Sequence, residues 1–110
     1  MERIRPPLPR KQGHDEILPG GRLRLEATIR GRVQGVGFRH FAAQRARQLG
    51  LDGWVKNALD GTVRVAAEGR EEALQAFLTY LREGPSWARV DEVEAAFGRP
   101  QGEPPGFRIR

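Results

Sequence analysis

The stretch Gly31-Arg32-Val33-Gln34-Gly35-Val36-Gly37-Phe38-Arg39 concentrates the residue types that bind phosphate. Its glycines, Gly31, Gly35 and Gly37, permit positive φ angles and close approach of another group to the backbone. Successive amide N–H groups in such a turn can face one concavity and hold an anion there. A helix beginning at its end would add unpaired N–H groups and the positive end of its dipole. Arg39 falls in that first turn, and its planar fork can pair with two phosphate oxygens. The spacing is neither the Walker loop nor the dinucleotide fingerprint, because no Gly-Lys-Ser/Thr closes it and no acidic ribose partner follows. Adenine nucleotides are not expected. On residue types alone the stretch also reads as a tight strand-to-helix turn with a surface arginine.

A second stretch is Gly53-Trp54-Val55-Lys56-Asn57, followed by Gly61-Thr62-Val63 and Gly69. Asn57 stands just before the hairpin signal Asp60-Gly61. Its amide can donate and accept at once, and so could hold a water molecule. Asparagine also closes turns for reasons of its own, and composition alone favours that reading.

The elements that must position these residues follow from periodicity. Leu23, Leu25, Ala27 and Ile29 alternate with Arg24, Glu26, Thr28 and Arg30, which predicts a strand with one buried and one wet face. The spacing of Phe38, Ala42, Ala46 and Leu49 predicts a helix over 38–49, stopped by Gly50. Strands are expected near 52–57 and 62–68, the latter with Val63, Val65 and Ala67 inward. A second helix over 70–82 carries the stripe Leu74, Phe77, Leu78 and Leu81, with Glu71 and Glu72 at the positive end of its dipole. A fourth strand over 88–97 changes apolar parity between Val90 and Val93, which predicts a bulge. After a Pro/Gly loop over 98–106, Phe107 and Ile109 make a short last strand. The order βαββαβ predicts an α+β, ferredoxin-like sandwich, an antiparallel sheet with two helices on one face.

Composition narrows the function further. The chain has 110 residues, which suits one domain. It has no cysteine, so disulfides, thiol nucleophiles and thiolate metal sites are out, and a reducing compartment, the cytoplasm, is expected. His14 and His40 are too far apart to suggest a metal site. No apolar run approaches the roughly 20 residues of a membrane span. Net charge is +5, a surface that attracts anions. Residues 1–22, with Pro6, Pro7, Pro9, Pro19, Gly20 and Gly21, read as a basic Pro/Gly-rich extension, extended or disordered, before a folded body at 23–110.

Together the two stretches resemble the two signatures of the acylphosphatase family. Ile29, Gly31, Val33, Gln34, Gly35, Val36, Phe38 and Arg39 fill the first without a gap. Gly53, Trp54, Val55, Lys56, Asn57, Gly61, Val63 and Gly69 fill the second. The resemblance spans about 23–110 and implies hydrolysis of the carboxyl–phosphate bond of acyl phosphates, with inorganic phosphate released, without metal or cofactor. It implies that Arg32, Val33, Gln34, Gly35, Val36, Gly37 and Phe38 form the phosphate cradle, that Arg39 binds and neutralises the phosphate, and that Asn57 orients the attacking water. The extension is longer than is usual in the family. With the chain ending at Arg110, a free-standing monomeric enzyme is expected, with no nucleic-acid or membrane partner.

Other residues are expected to be structural. His40, adjacent to Arg39 on a helix, should point elsewhere. Trp54 should belong to the core. The rival reading is a non-enzymatic ferredoxin-like module that binds phosphate, carbamoyl phosphate or nucleic acid. Against RNA, the first and third strands lack aromatics on which bases stack.

Overall fold

The computed structural model describes residues 21–110. The expected extension therefore lies outside the described residues, except for Gly21 and Arg22. Strand β1 (Arg22–Arg32) begins one residue before the expected body and runs two residues into the glycine-rich stretch. The chain continues as α1 (Phe38–Gln48), β2 (Asp52–Asn57), β3 (Val63–Arg70), α2 (Glu71–Glu83), β4 (Arg89–Gly98) and β5 (Phe107–Ile109). The sheet order is β4-β1-β3-β2-β5, so each βαβ half leaves a gap that a strand of the other half fills.

Four strands pair antiparallel, as expected, but β5 runs parallel to β2 and the sheet is mixed. The cause is where β4 ends. The loop 99–106 passes beneath the sheet and arrives where β2 begins, with Gly53 N–H donating to the Gly106 carbonyl at 3.0 Å. From there β5 can only run alongside β2. The predicted bulge is present: Arg30 faces Glu92 and Gly31 faces Val90, leaving Asp91 as the extra residue of β4.

Both helices cover one face. Leu23, Leu25, Ala27 and Ile29 of β1, with Val55, Val63, Val65 and Ala67, meet two different helical surfaces. From α1 come Phe38 and three alanines, Ala42, Ala43 and Ala46, so its backbone lies close to the sheet. From α2 come Leu74, Phe77, Leu78 and Leu81, which supply bulk. Phe77 meets the β5 residue Phe107 edge-on at 5.8 Å, a favoured geometry for aromatic pairs. The C-terminal end of α1 closes as a Schellman motif. Gly50, at φ 71, donates to the Arg47 carbonyl at 3.1 Å, and Leu51 donates to that of Ala46 at 2.9 Å.

The outer face of the sheet departs from expectation. Arg24, predicted to be wet, is buried, as is Glu68 beside it on β3. The loop 99–106 covers them. Arg24 donates to Glu68 at 2.8 Å, to Glu26 at 2.7 Å and to Glu103 at 3.0 Å. Glu68 also accepts the backbone N–H groups of Gln101, Gly102 and Glu103, at 2.6, 3.1 and 3.0 Å. Burial alone would push the Glu68 carboxyl up. Those N–H groups and the Arg24 guanidinium outweigh it and hold the group below its ordinary range. Trp54 is not in the core either. Its parity places it on this outer face, half-buried, with the Arg110 guanidinium 4.5 Å and the Lys56 ammonium 5.5 Å from its ring centre.

Because the Glu68 carboxyl is depressed in the folded state, its contribution is complete above the ordinary glutamate value of about 4.3. It is lost as pH falls through the lower native value. Glu68→Gln should cost about 3 kcal/mol at neutral pH, the scale of breaking a buried ion pair. It should also flatten the acid side of the stability curve. Urea titrations of both proteins from neutral to acidic pH test this; parallel curves would remove Glu68 as the acid-sensitive group.

Candidate active site

The loop between β1 and α1 is shaped by two glycines. Gly35 and Gly37 have φ of 74° and 83°, and a Cβ at either would meet nothing within 4 Å. The glycines are therefore required for backbone conformation, not for room. Val36 between them has negative φ, and such alternation turns successive N–H groups toward one side. Among the described residues, no backbone carbonyl accepts from the amides of residues 34–37. The first helical bond of α1 is Phe41 N–H to the Gly37 carbonyl at 3.0 Å, so the amides before it are helix orphans. Gly37 offers no side-chain cap, and the first turn of α1 holds no acidic residue. In α2, by contrast, Glu71 and Glu72 occupy the first turn. The start of α1 is thus left electropositive, which suits an anion.

A hollow of about 140 Å³ opens there, lined by Val33, Gly35, Gly37, Phe38, Arg39, His40 and Asn57. The two sequence stretches, eighteen residues apart from Arg39 to Asn57, meet in it. Of the residues expected at the phosphate cradle, Val33 and Phe38 are buried and form its floor. Arg32, Gln34 and Val36, also expected at the cradle, are not among the residues that line the hollow. His40, expected to point elsewhere, is at the rim: it is exposed, and at a helix's first turn even adjacent residues border the mouth. A larger hollow, about 360 Å³, lies on the outer sheet face between Glu26, Thr28, Trp54, Arg64 and Glu94, away from this loop.

Each candidate side chain is held by its own device. Arg39 Nη1 donates to the main-chain oxygen of Arg110 at 3.1 Å. Arg110 is fixed in turn by its N–H, which donates to the Val55 carbonyl at 2.8 Å, and by its guanidinium over Trp54. Arg47, two turns along α1, donates to the Phe107 carbonyl at 2.9 and 3.2 Å and ties the helix to β5. Asn57 ends β2, paired with Val63. Its Oδ1 is buried with no hydrogen-bond partner among the described residues. A buried acceptor left open in this way is costly unless something donates to it.

Gln34 plays a part that sequence reasoning missed. Its Nε2 donates to the Ala58 carbonyl at 2.8 Å and to the Thr62 carbonyl at 3.0 Å. The side chain therefore ties the loop to the β2–β3 turn instead of reaching into the hollow. That turn is closed by Asp60, which accepts from the Thr62 hydroxyl at 2.7 Å and from its N–H at 3.1 Å. These two bonds hold the Asp60 carboxyl below its ordinary range. The tether fixes the spacing between the loop amides and Asn57. Its only sequence signal was a long amide among the small and apolar residues of 33–38. Among the described residues, no three His, Asp or Glu side chains converge as a metal site.

The geometry can be set beside that of known proteins. The family model described as acylphosphatase matches residues 25–109. The chain is 52% identical over 79 residues to the acylphosphatase of Thermus thermophilus, covering 72% of this chain and 90% of that one. It superposes on the crystal structure of the acylphosphatase from Bacillus subtilis with a TM-score of 0.77 and 39% identity, over 80% of this chain and 98% of that one. It is also similar to a part of full-length HypF in its phosphate- and nucleotide-bound form. There the TM-score is 0.74 and the identity 31%, over 81% of this chain and 12% of that one.

Gln34→Ala should remove about 1 kcal/mol of stability. Amide exchange should quicken through residues 57–62 while the ends of β1 and β3 remain protected. Unchanged exchange in the turn would show that the tether does not hold it.

Proposed function

The chain belongs to the acylphosphatase family, and we propose that Arg39 and Asn57, with the amides of the loop from Arg32 to Phe38, carry its reaction. That reaction is hydrolysis of the carboxyl–phosphate bond of acyl phosphates. Water adds to phosphorus, the bond from phosphorus to the carboxyl oxygen breaks, and carboxylate and inorganic phosphate leave. The carboxylate is a good leaving group and needs no strong acid to protonate it. Phosphoryl transfer of this kind asks a protein chiefly for positioning and charge stabilisation.

One observation carries the assignment. Gly35 and Gly37 of the loop, the uncapped start of α1, Arg39 and Asn57 all border one small hollow. The amides and the remaining Arg39 donors would hold the equatorial phosphate oxygens and stabilise their charge as the bond breaks. The Arg110 oxygen occupies one Arg39 donor and so orients the fork. The buried Oδ1 of Asn57 would accept from the attacking water and fix it in place, lowering the entropy of attack. The substrate's own phosphate takes the proton that the water loses.

The small size of the chain favours a monomer. The outer sheet face carries Glu26, Glu92 and Glu94 beside its cations, which disfavours a nucleic-acid backbone there. No helix among the described residues is long and apolar enough to cross a membrane. With no cysteine in the chain, a reducing compartment such as the cytoplasm fits.

Arg39→Ala should lower kcat by about 10²–10³, the scale of losing a preorganised donor to developing charge. Arg39→Lys should be nearly as harmful, because it keeps the charge and loses the fork. Asn57→Ala should lower kcat yet leave inhibition by inorganic phosphate close to wild type. A large loss of phosphate affinity in that variant would reassign Asn57 to binding. The wild-type pH–rate profile should show no ionising protein base near neutral pH; a limb that demands one would overturn the proton route.

A further inference from the structure

Among the described residues the Arg39 side chain makes one hydrogen bond, from Nη1 to the main-chain oxygen of Arg110 at 3.1 Å, and no ion pair. A guanidinium on a long flexible stem has many rotamers open to it. The direction of the Arg39 fork therefore depends on where that one oxygen stands.

Arg110 lies one residue past β5, which ends at Ile109. Its N–H donates to the Val55 carbonyl at 2.8 Å, which holds the residue at its nitrogen. The oxygen turns with ψ, a soft dihedral that this bond does not set. The second restraint is the side chain, whose guanidinium sits 4.5 Å from the centre of the Trp54 ring. Trp54 opposes Arg108 in the β2–β5 ladder, and residues two apart on a strand share a face. Arg110 therefore meets the ring on the outer face of the sheet. Indole is the aromatic ring that attracts a cation most strongly. Trp54 borders the outer-face hollow and does not line the phosphate hollow.

We propose that Trp54 is a positioning residue for the reaction: it grips the Arg110 guanidinium, the grip fixes the Arg110 oxygen, and that oxygen aims Arg39 at the phosphate. This rests on the role proposed above for Arg39. It accounts for an indole on a face lined around it by Glu26, Thr28, Arg64, Ala66 and Glu94. The Lys56 ammonium shares the ring at 5.5 Å, but of the two cations Arg110 is the one that also meets Arg39. A small error in the aim of a group that binds the reacting phosphate lowers the rate directly.

The test measures kcat/KM for benzoyl phosphate on the full chain with Trp54→Leu, Arg110→Gln, the two together, and each again in an Arg39→Ala background. Each single variant should lose roughly two- to fivefold, the scale of an exposed cation–π contact. The two together should lose no more than either alone, because both break the same link. Trp54→Phe keeps an aromatic face and should stay nearer to wild type than Trp54→Leu. In the Arg39→Ala background neither change should cost anything further, a result that general loosening of β2 would not give. Should Trp54→Leu fail to fold, Arg110→Gln, at an exposed residue, carries the same comparison. Losses that multiply with that of Arg39→Ala, or wild-type kcat/KM in both single variants, would overturn the positioning role alone. Full activity of Arg39→Ala would overturn the assignment of Arg39 and the positioning role with it.

Discussion

β1 is hydrogen-bonded on both sides, to β3 from Arg22 to Ile29 and to β4 from Arg24 to Arg32. The loop that follows it therefore leaves from a point that cannot shift without breaking two ladders. This matters because the loop has little to hold it from within. Its amides at residues 34–37 make no backbone bonds among the described residues, and its glycines lie in conformations of low intrinsic preference for other residues. Rigid pairing upstream and the buried ring of Phe38 downstream do what internal bonding does elsewhere. The bulge at Asp91 serves the same end. It lets β4 follow β1 past Gly31, where the two backbones approach so closely that a Cβ on Gly31 would collide with the Arg89 carbonyl.

The remaining parts of the site are fastened from the side. Asn57 is held by β3 pairing, and the Gln34 amide sets its distance from the loop. Arg39 is aimed by the end of β5, itself fixed by β2, by Arg47 and by Phe77. The alanines of α1 let that helix sit near the sheet, so its first turn and β5 come within reach of each other. The candidate site is thus built from contacts made at three strand ends.

Much of this was legible in the sequence where the signal is local. The alternation in β1, the stripe of α2, the glycine stop of α1 and the parity change of β4 each follow from a few neighbouring residues, and each is found in the fold. Of the two motif stretches, Val33, Gly35, Gly37, Phe38, Arg39 and Asn57 meet in the hollow, while Arg32, Gln34 and Val36 do not line it. What was not legible depends on chain segments far apart. Arg24 reads as solvent-facing because its alternation is correct; it is buried because residues 101–103 return to cap Glu68 beside it. Trp54 reads as core on hydrophobicity, yet its parity puts it on the other face, where Arg110 and Lys56 shelter it. The direction of β5 follows from where β4 ends, which no periodicity records. His40 was assigned by helix geometry that holds within a helix and fails at its mouth.

The two ends of α1 are finished differently. The C-terminal end is completed by its own chain through Gly50 and Leu51, whereas the N-terminal end has neither a side-chain cap nor an acidic residue. In the proposed mechanism the phosphate itself supplies what is missing there. A bound phosphate would finish the helix there as Gly50 and Leu51 finish it at the other end, so that one anion serves both as the substrate's reacting group and as a helix cap.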